Sequence, residues 1–425
     1  MMRTSTWLAG VAAATLIGTA VPASAETPPP TPSSGTASRL ATIQTEMAGA
    51  PAGRMRPLWQ PATTTGATPR TIGVPGGYDP DVLRAHLRLS GTGKGQTVAI
   101  VVAFDVSAAV TKAVTSYSEW YGLKPPCSET VTSGCFPLKV VAPNGTAPID
   151  ADTALPARSF QVEADLDVEM VHAVAPDAAI TVVEGYDNST EAMMAALDHA
   201  VSLHPAVINN SYGMDEFEGE RDLDGRCTAT GVLCVFASGD AGNPGLWPAA
   251  APDVLAVGGT TLDMDSAGKV RSEVAWQGSG GGISPFEPRP AYQRAAVPNG
   301  IGRGVPDVSF DADPQSGFAV YVVIDVSPFP IYYDDWAMIG GTSAGAPIWS
   351  AIAAVADQQR AAHREPPLTA GQVHAAVYAG KAKQPADIIA GANGLCDTCF
   401  AGPGYDLVTG KGSPRAGIDT YLARH

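Results

Sequence analysis

Basic residues are scarce in this chain. Its 425 residues include 26 lysines and arginines against 42 aspartates and glutamates, so the formal net charge is −16 at pH 7. Because nucleic acids are bound through basic surface, this balance argues against a nucleic-acid partner. The acidity is compatible with work at low pH, where protonation of carboxylates reduces the self-repulsion of the chain.

Beyond its N-terminus, the chain also lacks an apolar run long enough to cross a membrane. The N-terminus itself has the pattern of a secretory signal, with Arg3, an apolar stretch over residues 7–21 and the small-x-small sequence Ala23-Ser24-Ala25. We therefore expect residues 1–25 to be a signal peptide that is removed. The product is expected to be secreted, extracellular and free of the membrane.

Cysteines are few and fall in three local pairs, Cys127/Cys135, Cys227/Cys234 and Cys396/Cys399. A zinc site would need a second Cys-x-x-Cys pair, and the chain has only one. In an exported chain, three local pairs favour three short-loop disulfides, although six cysteines allow other connectivities.

The composition changes near residue 78. Residues 26–77 are rich in Pro, Thr, Ala, Ser and Gly, which predicts a low-complexity propeptide or linker that is loosely attached. From residue 78 to residue 425, apolar strand patterns alternate with helical patterns. This alternation predicts an α/β fold with a mostly parallel central sheet and helices on both faces. The predicted strands are 97–103, 179–183, 206–209, 232–237 and 254–257, and the predicted helices are 81–89, 108–121, 162–174, 191–202 and 348–360.

The segment Gly340-Gly341-Thr342-Ser343-Ala344-Gly345-Ala346-Pro347 precedes an apolar run at 348–355 that is typical of a buried helix. With Pro347 in its first turn, Ser343 would lie at the helix N-terminus, where free backbone N–H groups favour negative charge. Such a serine is either a nucleophile beside a developing oxyanion or an N-cap, and these residues alone leave the choice open.

The predicted helix at 162–174 carries four carboxylates. At about 100° per residue its apolar side chains form a broad arc centred near Glu163 and Asp167. The opposite face carries Asp165, Glu169 and His172. Two buried acids four residues apart would suit a general base and the group that orients it, because one member should have a raised pKa. The alternative is a helix whose apolar arc ends early and leaves both acids in solvent.

Asp240 follows the predicted strand at 232–237, within Ser238-Gly239-Asp240-Ala241-Gly242. At the carboxyl end of a parallel strand it is either a turn residue or a site residue. None of the seven histidines is followed by Gly-Thr, the usual context of the histidine in subtilisin-type triads. A catalytic Ser343 therefore needs another base, and Glu163 is the best-placed candidate.

Taken together, these motifs resemble the sedolisins, which are serine-carboxyl peptidases with a subtilisin-like fold in which Glu and Asp replace the histidine-based dyad. The resemblance covers residues 78–423 and rests on motifs that follow one another in the family order. The motifs are Glu163–Asp167, Ala237–Gly242, Val257–Thr260, Trp276, Gly280–Ser284, Tyr292-Gln293, Pro306–Ser309, Gly341–Ala344 and Gly402–Asp406.

The resemblance implies a role for each acid. Ser343 would be the nucleophile, and Glu163 the general base and later the acid. Asp167 would hold Glu163, and Asp240 would stabilise the oxyanion as a neutral carboxylic acid. These roles imply a peptidase that cleaves peptide or protein substrates in acid, through an acyl-enzyme on Ser343. We expect it to act as a monomer.

The resemblance also implies one structural Ca²⁺. Asp387 and Asp406 would give carboxylate oxygens, and Ile388, Gly402 and Gly404 would give backbone carbonyl oxygens. Hard oxygen ligands on a glycine-rich loop suit this ion. An ordinary Gly/Asp turn is the alternative.

Two features depart from the family pattern. Sedolisins usually carry a long folded pro-domain, where this chain has only residues 26–77 after its signal, and residues 207–213 read Val-Ile-Asn-Asn-Ser-Tyr-Gly instead of a Ser-x-Ser-Trp-Gly pattern. Two other functions stay open. One is a subtilisin-type hydrolase that uses a histidine such as His172, and the other is a secreted binding protein that keeps the scaffold without catalysis.

Overall fold

The computed structural model describes residues 38–44, 53–62, 76–149, 155–297, 302–325, 332–379 and 384–425. The predicted signal peptide lies outside these residues. The strands are β1 Arg56–Pro57, β2 Gln60–Pro61, β3 Thr97–Ala103, β4 Leu138–Val141, β5 Ala179–Gly185, β6 Val207–Asn210, β7 Tyr212–Gly213, β8 Leu233–Ala237, β9 Leu255–Met264, β10 Val270–Ala275, β11 Gly282–Pro288, β12 Gly302–Val305, β13 Val308–Asp311, β14 Phe318–Asp325 and β15 Tyr332–Gly340. The helices are α1 (residues 38–44), α2 Pro80–Leu87, α3 Ser107–Tyr121, α4 Leu155–Val174, α5 Thr190–Ser202, α6 Thr342–Ala362, α7 Ala370–Tyr378 and α8 Ile418–Leu422.

Eight strands form the central sheet, in the order β10-β9-β8-β6-β3-β5-β4, with β13 beside β9. Only β10 pairs antiparallel, and the other neighbours pair parallel. Strands β3, β5, β6 and β8 are almost entirely buried, as expected of parallel strands covered on both faces by helices. The predicted fold class, an α/β fold with a mostly parallel central sheet flanked by helices, is therefore confirmed.

Helices α4 and α6 contact each other and pack on the sheet, while α5 packs on β3 and β5. Both α4 and α6 lie in the hydrophobic core. Among the described residues, no helix is both long enough and apolar enough to span a bilayer.

Helix α6 begins at Thr342, earlier than the predicted start at Ile348, so Pro347 lies inside the helix and not in its first turn. That part of the prediction is wrong. A proline inside a helix removes the N–H that would bind the carbonyl four residues earlier, which here belongs to Ser343. The hydroxyl of Ser211 lies 3.5 Å from this carbonyl, but its single proton is donated to Asp167 at 2.6 Å, so it does not replace the missing donor.

Helix α4 is buried on both faces, so the expectation that only Glu163 and Asp167 point into the protein is wrong for Asp165 and Glu169. These two acids face the free edge of β14. Asp165 accepts the backbone N–H of Val323 at 2.8 Å, and Glu169 accepts that of Tyr321 at 2.9 Å. Carboxylates thus satisfy edge N–H groups that would otherwise be orphaned in the core.

The three predicted disulfides, Cys127–Cys135, Cys227–Cys234 and Cys396–Cys399, are all present. The N-terminal segment departs from expectation, because residues 53–62 are not loosely attached. Strand β1 pairs antiparallel with β7, and β2 pairs antiparallel with β15. The average composition of residues 26–77 did not reveal the importance of three apolar residues, Met55, Leu58 and Trp59, whose side chains are buried in the structure.

A fully buried ion pair joins Arg303 to Asp307, which belongs to the Pro306–Ser309 motif. The pair has contacts of 2.7 and 3.0 Å, and Tyr378 donates to the same carboxylate at 2.8 Å. Although burial alone would raise it, the charge of Arg303 holds the pKa of Asp307 well below its usual range.

We predict that Asp307→Ala lowers the free energy of unfolding by about 3–5 kcal/mol, because Arg303 would be left buried and unpaired. The control is Asp198→Ala, which breaks a surface pair with Arg226 and should cost no more than about 1 kcal/mol. Urea unfolding of the three proteins gives the comparison. Equal losses in the two variants would contradict the prediction.

Candidate active site

Ser343 lies in the first turn of α6, at the helix N-terminus where the sequence predicted it. Its Oγ is 2.8 Å from Oε2 of Glu163, which accepts the hydroxyl proton, and 3.2 Å from the carbonyl oxygen of Ser211. The serine side chain is therefore held against a carboxylate from α4.

Glu163 and Asp167 lie one turn apart on α4, and both are buried. Burial, reinforced by the charge of Asp167, raises the pKa of Glu163, and the hydrogen bond from Ser343 opposes this effect. Burial likewise raises the pKa of Asp167, whose Oδ1 accepts from the hydroxyl of Ser211 at 2.6 Å. Within the described chain, Oε1 of Glu163 and Oδ2 of Asp167 each lack a hydrogen-bond partner, so each oxygen is available to carry a proton.

Asp240 follows β8 and faces the start of α6. Its Oδ1 accepts from both the backbone N–H and the hydroxyl of Thr342, each at 2.8 Å. Burial raises the pKa of Asp240 to about 7, against the lowering effect of these two bonds. The second oxygen, Oδ2, has no hydrogen-bond partner among the described residues. A protonated Asp240 could thus donate a hydrogen bond from Oδ2.

The structure adds three residues that the sequence did not single out. Ser211 links Asp167 to the nucleophile, Thr342 fixes Asp240, and the backbone of Leu58 approaches both catalytic elements. Leu58 N–H donates to Oε2 of Glu163 at 2.8 Å, and its carbonyl accepts from Ser343 N–H at 3.1 Å. Thr342 lies inside the Gly341–Ala344 motif and Ser211 lies inside the segment 207–213, so their positions could have suggested them. Leu58 lies 105 positions before Glu163 in the chain, and no local sequence pattern marks it as part of the site.

His172 is occupied elsewhere. Its ring stacks on Phe136 with centroids 4.0 Å apart, and Nε2 lies 2.9 Å from the carbonyl of Lys124. Burial lowers its pKa to about 4. These contacts leave no role for His172 as the base beside Ser343.

The predicted calcium ligands come from two segments, residues 387–388 and 402–406, which contact each other. Asp387 accepts from Gly404 N–H at 2.8 Å, and Asp406 accepts from Gly402 N–H at 3.1 Å. Across the described ranges, no three His, Cys, Asp or Glu side chains gather as metal ligands. Two carboxylates together with backbone carbonyls would give a donor set made of oxygen alone, which fits Ca²⁺ better than a softer metal.

The subtilase family model matches residues 156–389, which is more than half of the chain. The chain is 34% identical over 289 residues to kumamolisin from Bacillus sp. (strain MN-32), covering 59% of this chain and 49% of that protein. It is 31% identical over 255 residues to sedolisin from Pseudomonas sp. (strain 101), covering 51% of this chain and 41% of that protein.

A solved structure of Pseudomonas sedolisin, described as a serine-carboxyl proteinase complexed with two molecules of pseudo-iodotyrostatin, superposes with a TM-score of 0.69. The alignment is 25% identical and covers 82% of this chain and 98% of that chain. The chain belongs to the subtilase family and, within it, to the sedolisins. The sequence matches span about half or less of the two relatives' own lengths.

For this sedolisin we predict that Glu163→Gln abolishes labelling of Ser343 by a fluorophosphonate probe at acid pH, because the serine loses its proton acceptor. Glu169→Gln is the matched control, since Glu169 is buried on the same helix but faces β14. Mass spectrometry of the labelled peptide reports the result. Loss of labelling in both variants, or in neither, would contradict the assignment of Glu163.

Proposed function

We propose that this sedolisin is a secreted serine-carboxyl peptidase that hydrolyses peptide bonds in acid through an acyl-enzyme on Ser343. The observation that carries the proposal is the 2.8 Å contact between Ser343 Oγ and Glu163 Oε2. Peptides or proteins would be the substrates, as the names of the relatives suggest. We propose that the mature enzyme acts as a monomer.

In the first half of the reaction, Glu163 takes the proton of Ser343 while Oγ attacks the substrate carbonyl carbon. Charge then develops on the carbonyl oxygen. The N–H of Ser343 and the protonated Oδ2 of Asp240 would stabilise that charge. Glu163 then returns the proton to the leaving amine, and the acyl group remains on Oγ.

In the second half, water takes the place of the amine. Glu163 accepts a proton from this water as its oxygen attacks the ester carbon, and the proton passes back to Ser343 Oγ as the acid product leaves. Asp167 would share a proton with Glu163 and so keep one negative charge on the pair. Ser211, which donates to Asp167, would fix the orientation of that carboxylate.

The pH dependence follows from the opposite requirements of two acids. Asp240 must be protonated to donate, and its pKa of about 7 means that this form is lost as the pH rises through neutrality. The Glu163–Asp167 pair must instead carry a negative charge, which is lost when both carboxyls are protonated at low pH. Activity should therefore be bell-shaped with its optimum below neutral pH.

A peptide-library digest across a pH series tests the proposal. We predict that Ser343→Ala lowers kcat/KM at least about 10³-fold, while Ser350→Ala, a buried serine on the same helix, retains activity. Above neutrality the wild-type rate should fall about tenfold per pH unit, and Asp240→Asn, a donor that does not titrate, should lose this alkaline limb. Full activity in Ser343→Ala, or an alkaline optimum, would refute the proposal.

We further propose that Asp387 and Asp406, with the carbonyls of Ile388, Gly402 and Gly404, hold one Ca²⁺. The loop continues to Val408, whose carbonyl accepts from Ser279 Oγ at 2.7 Å. Gly280, which follows Ser279 in the chain, donates its backbone N–H to the carbonyl oxygen of Gly239 at 2.7 Å, and Gly239 precedes Asp240. An ion in this loop would therefore stabilise the structure that supports Asp240.

We predict that the native protein contains one Ca²⁺ and that Asp406→Asn lowers its calcium affinity at least about tenfold, because a charged ligand is lost. A chelator should lower Tm in the wild type, since an ion that binds only the folded state adds about 2.7 kcal/mol at a hundredfold excess over Kd. The control is Asp397→Asn, in the exposed turn between Cys396 and Cys399. If native mass spectrometry finds no calcium bound to the wild-type protein, the site is excluded.

A further inference from the structure

Asn209 and Asn210 occupy the first two positions of the segment that departs from the family pattern Ser-x-Ser-Trp-Gly. The structure separates these two neighbours. Side chains alternate along an extended strand, so Asn209 shares a face with Ser211, and Asn210 lies on the opposite face with Tyr212. Both asparagines are fully buried. The departure therefore places one amide on each face of the sheet.

Asn210 makes its contacts within the sheet. Its Oδ1 accepts from the hydroxyl of Tyr212 at 3.1 Å, and its Nδ2 donates to the carbonyls of Ile208 and Val235, each at 3.3 Å. These bonds satisfy an amide that would otherwise be orphaned in the core. Asn210 is thus a structural residue of β6.

Asn209 instead contacts the residues of the candidate active site. Its Nδ2 donates to Ser211 Oγ at 3.1 Å, and Ser211 Oγ donates to Oδ1 of Asp167 at 2.6 Å. The backbone carbonyl of Ser211 accepts from the hydroxyl of Ser343 at 3.2 Å. One short stretch of chain therefore contacts both Asp167 and the nucleophile.

The direction of these hydrogen bonds follows from the chemistry of the groups. An ionised carboxylate only accepts, so Asp167 takes the single proton of the Ser211 hydroxyl. Ser211 Oγ can then only accept from Asn209, and the amide nitrogen must face it. The amide oxygen accepts from the hydroxyl of Ser350 at 3.3 Å, a contact that does not compete for the nitrogen. Asn209 thus holds Ser211 in the orientation that donates to Asp167.

Donors arranged in this way favour the ionised form of the acid that they reach. Glu163 and Asp167, the catalytic pair, must together carry a negative charge for Glu163 to act as a base. Burial raises the pKa of Asp167, and the hydrogen bonding of Ser211 and Asn209 opposes this effect. The amide therefore works against the cost of keeping a charge in the core.

The other acids near the catalytic pair have different partners. Asp165 and Glu169, on the same helix, accept backbone N–H groups of β14. Asp240, at the end of β8, is held by Thr342, and its charge raises the pKa of Glu163 less than burial and the charge of Asp167 do. The stretch 209–211 therefore donates to the catalytic pair and not to these acids.

We propose that Asn209 is a positioning residue, which holds the hydroxyl of Ser211 as a donor to Asp167 and so stabilises the negative charge that the catalytic pair shares. The inference rests on the proposed peptidase function and deepens it. Asn209 lies behind Ser211 and acts through it. It sets how acidic the medium can become before the pair takes up a second proton and stops accepting from Ser343.

The test is the position of the acid limb of kcat/KM for peptide hydrolysis. Asn209→Leu keeps the branched shape of the side chain and removes the donor. We predict that the acid limb moves to higher pH by at least about half a pH unit, because loss of a donor raises the pKa of the charged pair. On that limb the rate, relative to its own maximum, should fall about threefold at a fixed pH. The alkaline limb, set by Asp240, should not move.

Asn210→Leu is the matched control, since it changes the same residue type on the opposite face of the same strand, and it should leave both limbs in place. If Asn209→Leu fails to fold, Asn209→Ser, which restores the residue of the family pattern, takes its place. It should shift the acid limb in the same direction, because a shorter side chain weakens the contact with Ser211. Ser211→Ala should give a similar shift, and Asn209→Leu added to it should move the limb little further.

A lower rate at every pH, with the acid limb unmoved in Asn209→Leu and Asn209→Ser, would show a structural role alone and overturn the inference. An equal shift in Asn210→Leu, or full additivity with Ser211→Ala, would also overturn it. Each of these outcomes leaves the proposed function standing, because the wild type still cleaves peptides. A wild type that cleaves no peptide at any pH would instead refute the proposed function, and the inference with it.

Discussion

The contact between helices α4 and α6 brings the hydroxyl of Ser343 within 2.8 Å of Glu163 in the dry core of the molecule. This contact places the carboxylate where its desolvation is most costly, so its pKa rises and it becomes a stronger proton acceptor when ionised. The other parts of the site are arranged around this contact. Asp167 can share the charge, Ser211 fixes Asp167, and residues 53–62 bring the carbonyl of Leu58 to the same place. Gly341 allows this approach, since a Cβ atom there would lie 2.3 Å from the carbonyl oxygen of Leu58.

The same burial links the chemistry to the conditions in which the protein would work. Burial also raises the pKa of acids away from the catalytic pair. Asp165 and Glu169, against β14, are two of them. Glu184 and Asp357 are two more, and burial raises the pKa of each of these to about 7. A carboxyl whose pKa is raised by folding gives stability that is fully present below its unfolded pKa, near 4, and is lost as the pH rises through its folded pKa. For Glu184 and Asp357 the loss falls between about pH 4 and about pH 7. Both the fold and the proposed reaction therefore favour acid.

Residues 53–62 have a structural role that composition does not suggest. Residues 26–77, rich in small and polar residues, were predicted to be loosely attached, yet Met55, Leu58 and Trp59 are buried. Strand β1 pairs with β7 and β2 pairs with β15, so the backbone of Leu58 is held beside Glu163 and Ser343.

The sequence by itself determined the fold class and the position of Ser343 at a helix start, and it favoured the three local disulfides, because these features depend on periodicity and short-range spacing. It also determined that Glu163 and Asp167 share one face of α4, since residues four apart share a face of any helix, but it left open whether that face is buried. Tertiary structure decided the rest. Asp165 and Glu169 lie on the outer face but are buried, because β14, far along the chain, covers that face. Leu58 meets Ser343 across 285 positions of sequence, and no local pattern encodes such a contact, since it exists only when the folded sheet brings β7 and β15 to either side of the cleft.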